Sequence, residues 1–211
     1  MADLKAMAQA VERGDRDAAV QAVKDVLAEG LKPEQILNDG LIAAMSSIGE
    51  KFKKNEVFIP EVLIAARAMA GAMEVLEPKL VETGVKPRGK VVVGTVKQDL
   101  HDIGKNLVAM MLKGGGFKVI DLGVDVDPQK FVDAAKDEQA QIIALSALLT
   151  TTMPNMKEVV LAMRKDGLKG VKVIIGGAPV TQAYADEIGA DGYAADAGSA
   201  VDLAKGLVDG K

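Results

Sequence analysis

Beyond residue 89 the chain carries five short runs rich in β-branched residues: KVVVGTV (90–96), FKVIDL (117–122), QIIALSA (141–147), VKVIIGG (171–177) and GYAA (192–195). Their apolar character is continuous rather than alternating, and windows with helical spacing separate them. A strand apolar at successive positions is buried on both faces, and strands joined through helix-length crossovers run parallel. The expected fold is therefore α/β, an open five-stranded parallel sheet of flavodoxin- or Rossmann-like type with helices on both faces. Such sheets bind ligands outside the carboxyl ends of their strands, at the topological switch point.

Before residue 84 the period is different. Apolar residues recur every three or four positions in four stripes: Leu4, Met7, Ala8 and Val11; Ala19, Ala22, Val23, Val26 and Leu27; Leu37, Leu41, Ala44, Met45, Ile48 and Phe52; and Val62, Leu63, Ala66, Met69, Ala70, Met73 and Leu76. Gly14 with Asp15, Gly30 with Pro33, and Asn55 through Pro60 supply helix ends, caps and a first-turn proline. Residues 1–84 thus predict an N-terminal four-helix bundle, residues 85–89 a linker, and residues 90–211 the sheet domain. The stretch GVKPRG (84–89) has glycines at both ends with a proline between them, a composition suited to a hinge. A last helical window, SAVDLAKGLV (199–208), closes the sheet domain, as expected of an independent chain.

Composition narrows the chemistry. The 211 residues include no cysteine and one histidine, which excludes disulfides, thiolate sites, iron–sulfur clusters and zinc sites of the usual His/Cys kind. The formal net charge is −4 with both signs interspersed, so no basic stripe offers itself to nucleic acid. No run of ~18 uncharged apolar residues occurs, and the N-terminus MADLKAMAQAVERGD lacks the apolar stretch of a signal peptide. The expected location is cytoplasmic, with no membrane partner.

The single imidazole, His101, lies in GTVKQDLHDIGKN (94–106), two residues after Asp99 at the end of the first strand. In extended backbone, residues two apart share a face, so the carboxylate can reach the ring and hold one tautomer. That is the smallest form of a metal ligand with its supporting partner. Asp102 stands in the N-cap place before a helix over 103–112. Gly104 costs that helix about 1 kcal/mol relative to alanine, which points either to a ligand close to the backbone or to tight helix–sheet packing. Gly114-Gly115-Gly116 follows the helix and reads as its C-cap.

After the third strand, LSALLTTTM (145–153) supplies hydroxyls at Ser146, Thr150, Thr151 and Thr152. One is expected to cap the helix starting near Pro154, and the others exceed what a cap needs, which leaves them for a polar ligand. Gly176-Gly177 ends the fourth strand, either as bare backbone for a ligand or as a plain turn. Two familiar five-stranded proteins do not fit. A phosphoacceptor receiver needs an aspartate where Leu145-Ser146 stand, and a flavodoxin needs a glycine- and hydroxyl-rich loop where Gln98-Asp99-Leu100-His101 stand.

Asp99-x-His101-x-x-Gly104, Ser146-x-Leu148 and Gly176-Gly177 together resemble the cobalamin-binding signature of the methionine synthase class. The preceding bundle is similar to that class's cap, so the resemblance covers nearly the whole chain. In architecture the chain is similar to the small corrinoid proteins of methanogenic and acetogenic methyltransferase systems. The resemblance implies a cobalamin cofactor, as methylcobalamin or a related corrinoid, with His101 replacing dimethylbenzimidazole as the lower axial cobalt ligand. It implies cofactor contacts at Gly104, Ser146, Leu148, Thr150, Gly176 and Gly177, where the displaced nucleotide tail lies against backbone. Asp99 and a hydroxyl behind it would form a proton relay. Methionine synthases carry serine at that third position and this chain carries Thr152, whose χ1 is more restricted. Phe52 and Ile59, in GEKFKKNEVFIPE (49–61), match the positions where the cap lays apolar side chains over the methyl group.

The implied function is methyl carriage between a substrate-specific methyltransferase and a second methyltransferase, with a reductive activase as a further partner and catalysis residing in those partners. The donor would be methanol, a methylamine, a betaine or a methoxylated aromatic, and the acceptor tetrahydrofolate or coenzyme M. Three other proteins share the signature. A cobalamin-dependent sensor would place a DNA-binding module before the bundle. The adenosylcobalamin subunit of a mutase would find its bulky upper group obstructed by an apolar lid. The third is a cobalamin-binding fragment of methionine synthase.

Overall fold

The computed structural model describes residues 3–210. Short polar stops set the N-terminal helices. The Asp3 carboxylate accepts the Ala6 N–H (2.8 Å) to cap α1 (Leu4–Glu12), and Asp15 accepts the Ala18 N–H (3.0 Å) to cap α2 (Arg16–Ala28). Gly14 and Gly30 end these helices in left-handed backbone. Pro33 opens α3 (Pro33–Gln35), which passes without a break through a π-helical segment (Ile36–Ile42) into α4 (Ala43–Lys53). These three pieces correspond to the third helix expected from the sequence, with one difference. Bonding from i to i+5 widens the turn and offsets the apolar stripe, so Ile36, Leu37, Gly40, Leu41 and Ile42 are all buried. The fourth helix, α5 (Ile59–Glu82), starts with Pro60 in its first turn, and the Glu61 carboxylate accepts the Phe58 N–H at 2.9 Å.

The sheet comprises β1 (Lys90–Thr95), β2 (Lys118–Asp121), β3 (Ile142–Ser146), β4 (Lys172–Gly176) and β5 (Gly192–Ala194), all parallel in the order β2-β1-β3-β4-β5. The crossovers are α6 (Ile103–Gly114), α7 (Pro128–Asp137), α8 (Pro154–Lys165) and α9 (Gln182–Ile188), and α10 (Ala197–Asp209) follows β5. Alternate strand residues divide between two faces. Val92, Val96, Ile143, Leu145, Val173 and Ile175 pack with Phe131, Met156, Val159, Val160 and Ile188 of α7, α8 and α9. The intervening set, Val93, Thr95, Ala144, Ser146, Ile174 and Gly176, faces the other side, where Leu203 of α10 packs against Gly192. Because the chain moves outward from β1 in both directions, the loops after β1 and β3 diverge and leave the switch point between them.

The chain divides into two compact units. The first runs to Pro87 and includes Lys113–Gly116, and the second comprises Arg88–Leu112 and Phe117 onward. In the first, Gly114 and Gly116 pack under Met45 and Ile42, while the Gly116 N–H closes on the Lys113 carbonyl to end α6. In the second, Arg88 pairs with Asp209 of α10 (2.9 Å). No helix among the described residues is long and apolar enough to cross a membrane.

Candidate functional site

The carboxyl ends of β1, β3, β4 and β5 align in one row, Thr95–Ser146–Gly176–Ala194, of small or hydroxyl-bearing residues. The loop leaving β1 at this row carries Asp99 and His101. Asp99 is fully buried, and His101 is half-exposed, with 51% of its side chain accessible. The contact expected from their spacing is present: the ring Nδ1 lies 2.7 Å from Asp99 Oδ1, which also accepts the His101 backbone N–H at 3.1 Å. With Nδ1 engaged, Nε2 is the ring atom left to ligate. Below the ring, the buried Thr95 hydroxyl donates to the His101 carbonyl (2.8 Å) and fixes the backbone that carries the imidazole.

The second Asp99 oxygen is held from the β3–α8 loop. Oδ2 accepts the Leu148 N–H at 2.8 Å and the Thr152 hydroxyl at 2.7 Å. Burial opposes ionisation of Asp99 more than any other single influence. The bonds from Leu148 N–H, Thr152, His101 N–H and the imidazole together outweigh it and hold the carboxyl well below the usual carboxylate range. Asp99 is therefore an anion with both oxygens saturated, oriented by two loops at once. Thr152 has one proton and two acceptors within reach, Asp99 Oδ2 and the Leu149 carbonyl (2.9 Å), and the shorter bond is to the charged one.

One expectation fails here. None of the threonine hydroxyls caps α8, whose N-cap is Met153 without a side-chain bond, because Thr152 turns inward to Asp99 while Thr150 and Thr151 are exposed. Asp102 precedes α6, but its carboxylate takes the Asn106 side-chain amide (3.0 Å).

The glycines separate by cause. A Cβ on Gly177, at φ 130°, would lie 1.9 Å from the Ala147 carbonyl oxygen, and one on Gly176 would lie 3.0 Å from that of Ala194. Protein backbone thus forbids a Cβ at 177 and crowds one at 176. A Cβ on Gly104 meets nothing within 4 Å, so helix–sheet packing is not its cause and its face is open to a ligand. Ser146 is partly buried at the end of β3, and Leu148 is exposed above it. In the other unit Phe52 is partly buried on α4 and Ile59 opens α5 exposed.

Sequence reasoning missed several neighbours. Leu100 and Ile103, next to His101 in sequence, are 72% and 77% exposed, and Leu148 and Leu149, whose backbone N–H groups point to Asp99, are exposed as well. Apolar residues inside an otherwise polar loop were the available signal. Lys105, 4% exposed, reaches both oxygens of Asp121 at 2.6 Å and ties the start of α6 to the end of β2. No spacing rule links those two residues, nor Thr95 with His101.

Among the described residues no three His, Cys, Asp or Glu side chains gather to hold a metal ion. A lone imidazole nitrogen on a half-exposed side chain cannot retain a free ion, but it suits a metal whose other ligands are already supplied by a flat macrocycle. Comparison with known proteins decides the matter. Residues 89–202, more than half of the chain, match the B12 binding domain family. The chain belongs to the B12-binding corrinoid proteins. Residues 3–77 of this corrinoid protein match a second B12 binding domain family. It is 44% identical to dimethylamine corrinoid protein 1 of Methanosarcina acetivorans over 207 residues, 97% of each chain. Among solved structures it is similar to a cobalamin-binding protein from Desulfitobacterium hafniense DCB-2 (35% identity, TM-score 0.81, 97% of this chain and 98% of that one). It is also similar to a chain of the methanol:cobalamin methyltransferase complex MtaBC of Methanosarcina barkeri (29% identity, TM-score 0.87, 99% of this chain and 80% of that one). The cofactor is thus cobalamin, a corrinoid, and the chain has one imidazole.

Proposed function

We propose that this corrinoid protein is a methyl carrier, which takes a methyl group from one methyltransferase and yields it to a second. The observation that carries this reading is the bonded set at the end of β1: Nδ1 of His101 on Asp99, Thr152 and the Leu148 N–H on the far carboxylate oxygen, and Nε2 left over. Bound cobalamin supplies a cobalt centre able to accept and release a methyl group. The chain's own residues would tune that centre. His101 would hold the cobalt through Nε2 in place of dimethylbenzimidazole, and the Asp99 anion at Nδ1 would fix the tautomer and make Nε2 a better donor. Asp99 would hold the proton at Nδ1 of His101, with Thr152 completing the relay.

Gly104, Ser146, Thr150, Gly176 and Gly177 would line a slot for the nucleotide tail, and Leu148 would be a further cofactor contact. Phe52 and Ile59 are assigned to shielding the methyl group. Dimethylamine and methanol stand in the names of relatives, which favours a methylated amine or methanol as donor over a betaine or a methoxylated aromatic. The acceptor is tetrahydrofolate or coenzyme M, according to the second methyltransferase, and a reductive activase restores inactivated cofactor.

The test begins with protein loaded with hydroxocobalamin and freed of excess by gel filtration. Wild type is expected to show a base-off spectrum with histidine ligation, His101→Ala the same cofactor without it, and Asp99→Asn a weakened ligation. Methylcobalamin-loaded protein should then transfer its methyl group to tetrahydrofolate or coenzyme M only when the matching methyltransferase is added. Cofactor retention with no transfer to either acceptor by any partner would refute the carrier reading.

A further inference from the structure

Two residues other than glycine hold left-handed backbone on facing loops beside Asp99: Gln98 at φ 65° and Asp125 at φ 52°. Such backbone is disfavoured for any residue with a Cβ and persists where surrounding bonds over-determine it. These two residues determine each other. The turn from Val96 to Asp99 is closed by the Asp99 N–H on the Val96 carbonyl (3.2 Å) and puts Gln98 at its third position, usually the place of glycine or asparagine. The Gln98 N–H then donates to Asp125 Oδ1 at 2.7 Å. Asp125 in turn donates its own N–H to the Asp99 carbonyl at 3.0 Å. One bond lies on each side of the Asp99 backbone.

The approach to this clasp is continuous with the sheet. The Thr95 N–H donates to the Gly123 carbonyl (3.0 Å), the Val126 N–H to the Thr95 carbonyl (3.1 Å), and Val96 and Val126 pair in parallel beyond the ends of β1 and β2. The loop after β2 is thus a template against which the histidine loop is laid. The bonds from Leu148 and Thr152 orient the Asp99 carboxylate, and among the described residues the Asp125 N–H is what ties down its carbonyl.

We infer that Asp125 is a positioning residue for cobalt ligation: by clasping Gln98 and Asp99 it aims the Asp99 carboxylate at both His101 and Thr152, and so sets the fraction of bound cofactor that carries His101. The inference rests on the reading of His101 as axial ligand. Asp125 itself is exposed and acts only through Asp99.

The experiment compares wild type with Asp125→Ala, Asp125→Gly and Asp125→Asn, each alone and combined with His101→Ala, in the full chain saturated with hydroxocobalamin and reduced by one electron. Nitrogen superhyperfine coupling in the electron paramagnetic resonance spectrum measures the histidine-ligated fraction, and titration gives the cobalamin Kd. Asp125→Ala and Asp125→Gly both lack the acceptor, and the second has no cost for left-handed backbone. Both are expected to shift the equilibrium about five-fold toward the unligated form, the effect of losing one hydrogen bond. Asp125→Asn, which keeps an Oδ1 acceptor and tolerates left-handed backbone, should restore the wild-type fraction. On the His101→Ala background, Asp125→Ala should leave the Kd unchanged. Equal nitrogen coupling in wild type and both acceptor-less variants overturns the inference. So does a Kd that rises equally on both backgrounds, the mark of a loop that merely builds the pocket. Wild type without nitrogen coupling overturns the ligand reading, and this inference with it.

Discussion

A Cβ at position 177 would collide with the Ala147 carbonyl, whereas a Cβ at position 104 would enter open space. The two glycines therefore respond oppositely to the same change. Gly177→Ala combines left-handed backbone with a backbone clash and should destabilise the apoprotein by about 2 kcal/mol or more. Gly104→Ala adds a better helix former where nothing obstructs it and should stabilise the apoprotein by up to about 1 kcal/mol. The same variant should bind cobalamin more weakly, because the added methyl occupies the face left for the cofactor. Urea unfolding of the two apoproteins, with a cobalamin titration of Gly104→Ala, tests both halves, and unaltered affinity would show that no ligand approaches residue 104. From sequence, Gly104 and Gly176-Gly177 looked alike, because a glycine's reason for being small is an atom elsewhere in the fold.

At the scale of elements, α6 is held by a charge that the sequence offers no reason to notice. Lys105, one residue beyond Gly104, is buried and grips the Asp121 carboxylate, which also accepts the Gly123 N–H at 2.9 Å. The pair fixes the first turn of α6 against the end of β2 and the loop that carries the Asp125 clasp. Lys105→Met keeps most of the aliphatic stem and removes the ammonium. It should cost about 1–2 kcal/mol, since partly exposed Asp121 can regain water. Chemical denaturation measures this, and a cost near zero would mean that the pair stabilises no more than a surface ion pair does. The helices and strands themselves were legible, because burial gives a helix an apolar period of 3.6 and a strand covered on both faces a short continuous apolar run. The π-helical turn at Ile36–Ile42 was not, since a one-residue offset in an apolar stripe still reads as helix.

The whole molecule inherits a pH dependence from its buried carboxylate. An unfolded aspartate titrates near ~3.9, and Asp99 in the fold lies well below that. In the acid range the unfolded chain therefore binds more protons than the folded one, so stability rises with pH there. The contribution of Asp99 is fully present above the unfolded value and is lost as pH falls through the folded one. Partly exposed Asp127, Glu138 and Asp166, lowered by hydrogen bonds from Lys97, Lys118 and Lys136, add effects of the same sign. Melting temperatures of the apoprotein should drop steeply on acidification below pH ~4, and Asp99→Asn should flatten that slope. Equal slopes in the two proteins would mean that the depressed Asp99 does not govern acid stability.

Sequence by itself determined the element types, the parallel sheet and the pairing of Asp99 with His101, because each depends on short-range patterning or on residues two positions apart. Residue pattern alone offered Thr152 as one hydroxyl among four and assigned one of the group to a helix cap that does not form; the family resemblance matched Thr152 to the relay position. Which hydroxyl faces Asp99 is decided by the β3–α8 loop crossing the switch point, a meeting of residues 53 positions apart. Thr95 under His101, Asp125 against Gln98, and Asp121 around Lys105 are contacts of the same kind. Tertiary structure alone decided them: a buried carboxylate or ammonium must be satisfied by whatever donors and acceptors neighbouring strand ends bring within 3 Å or so, and sheet order, not sequence proximity, chooses those neighbours.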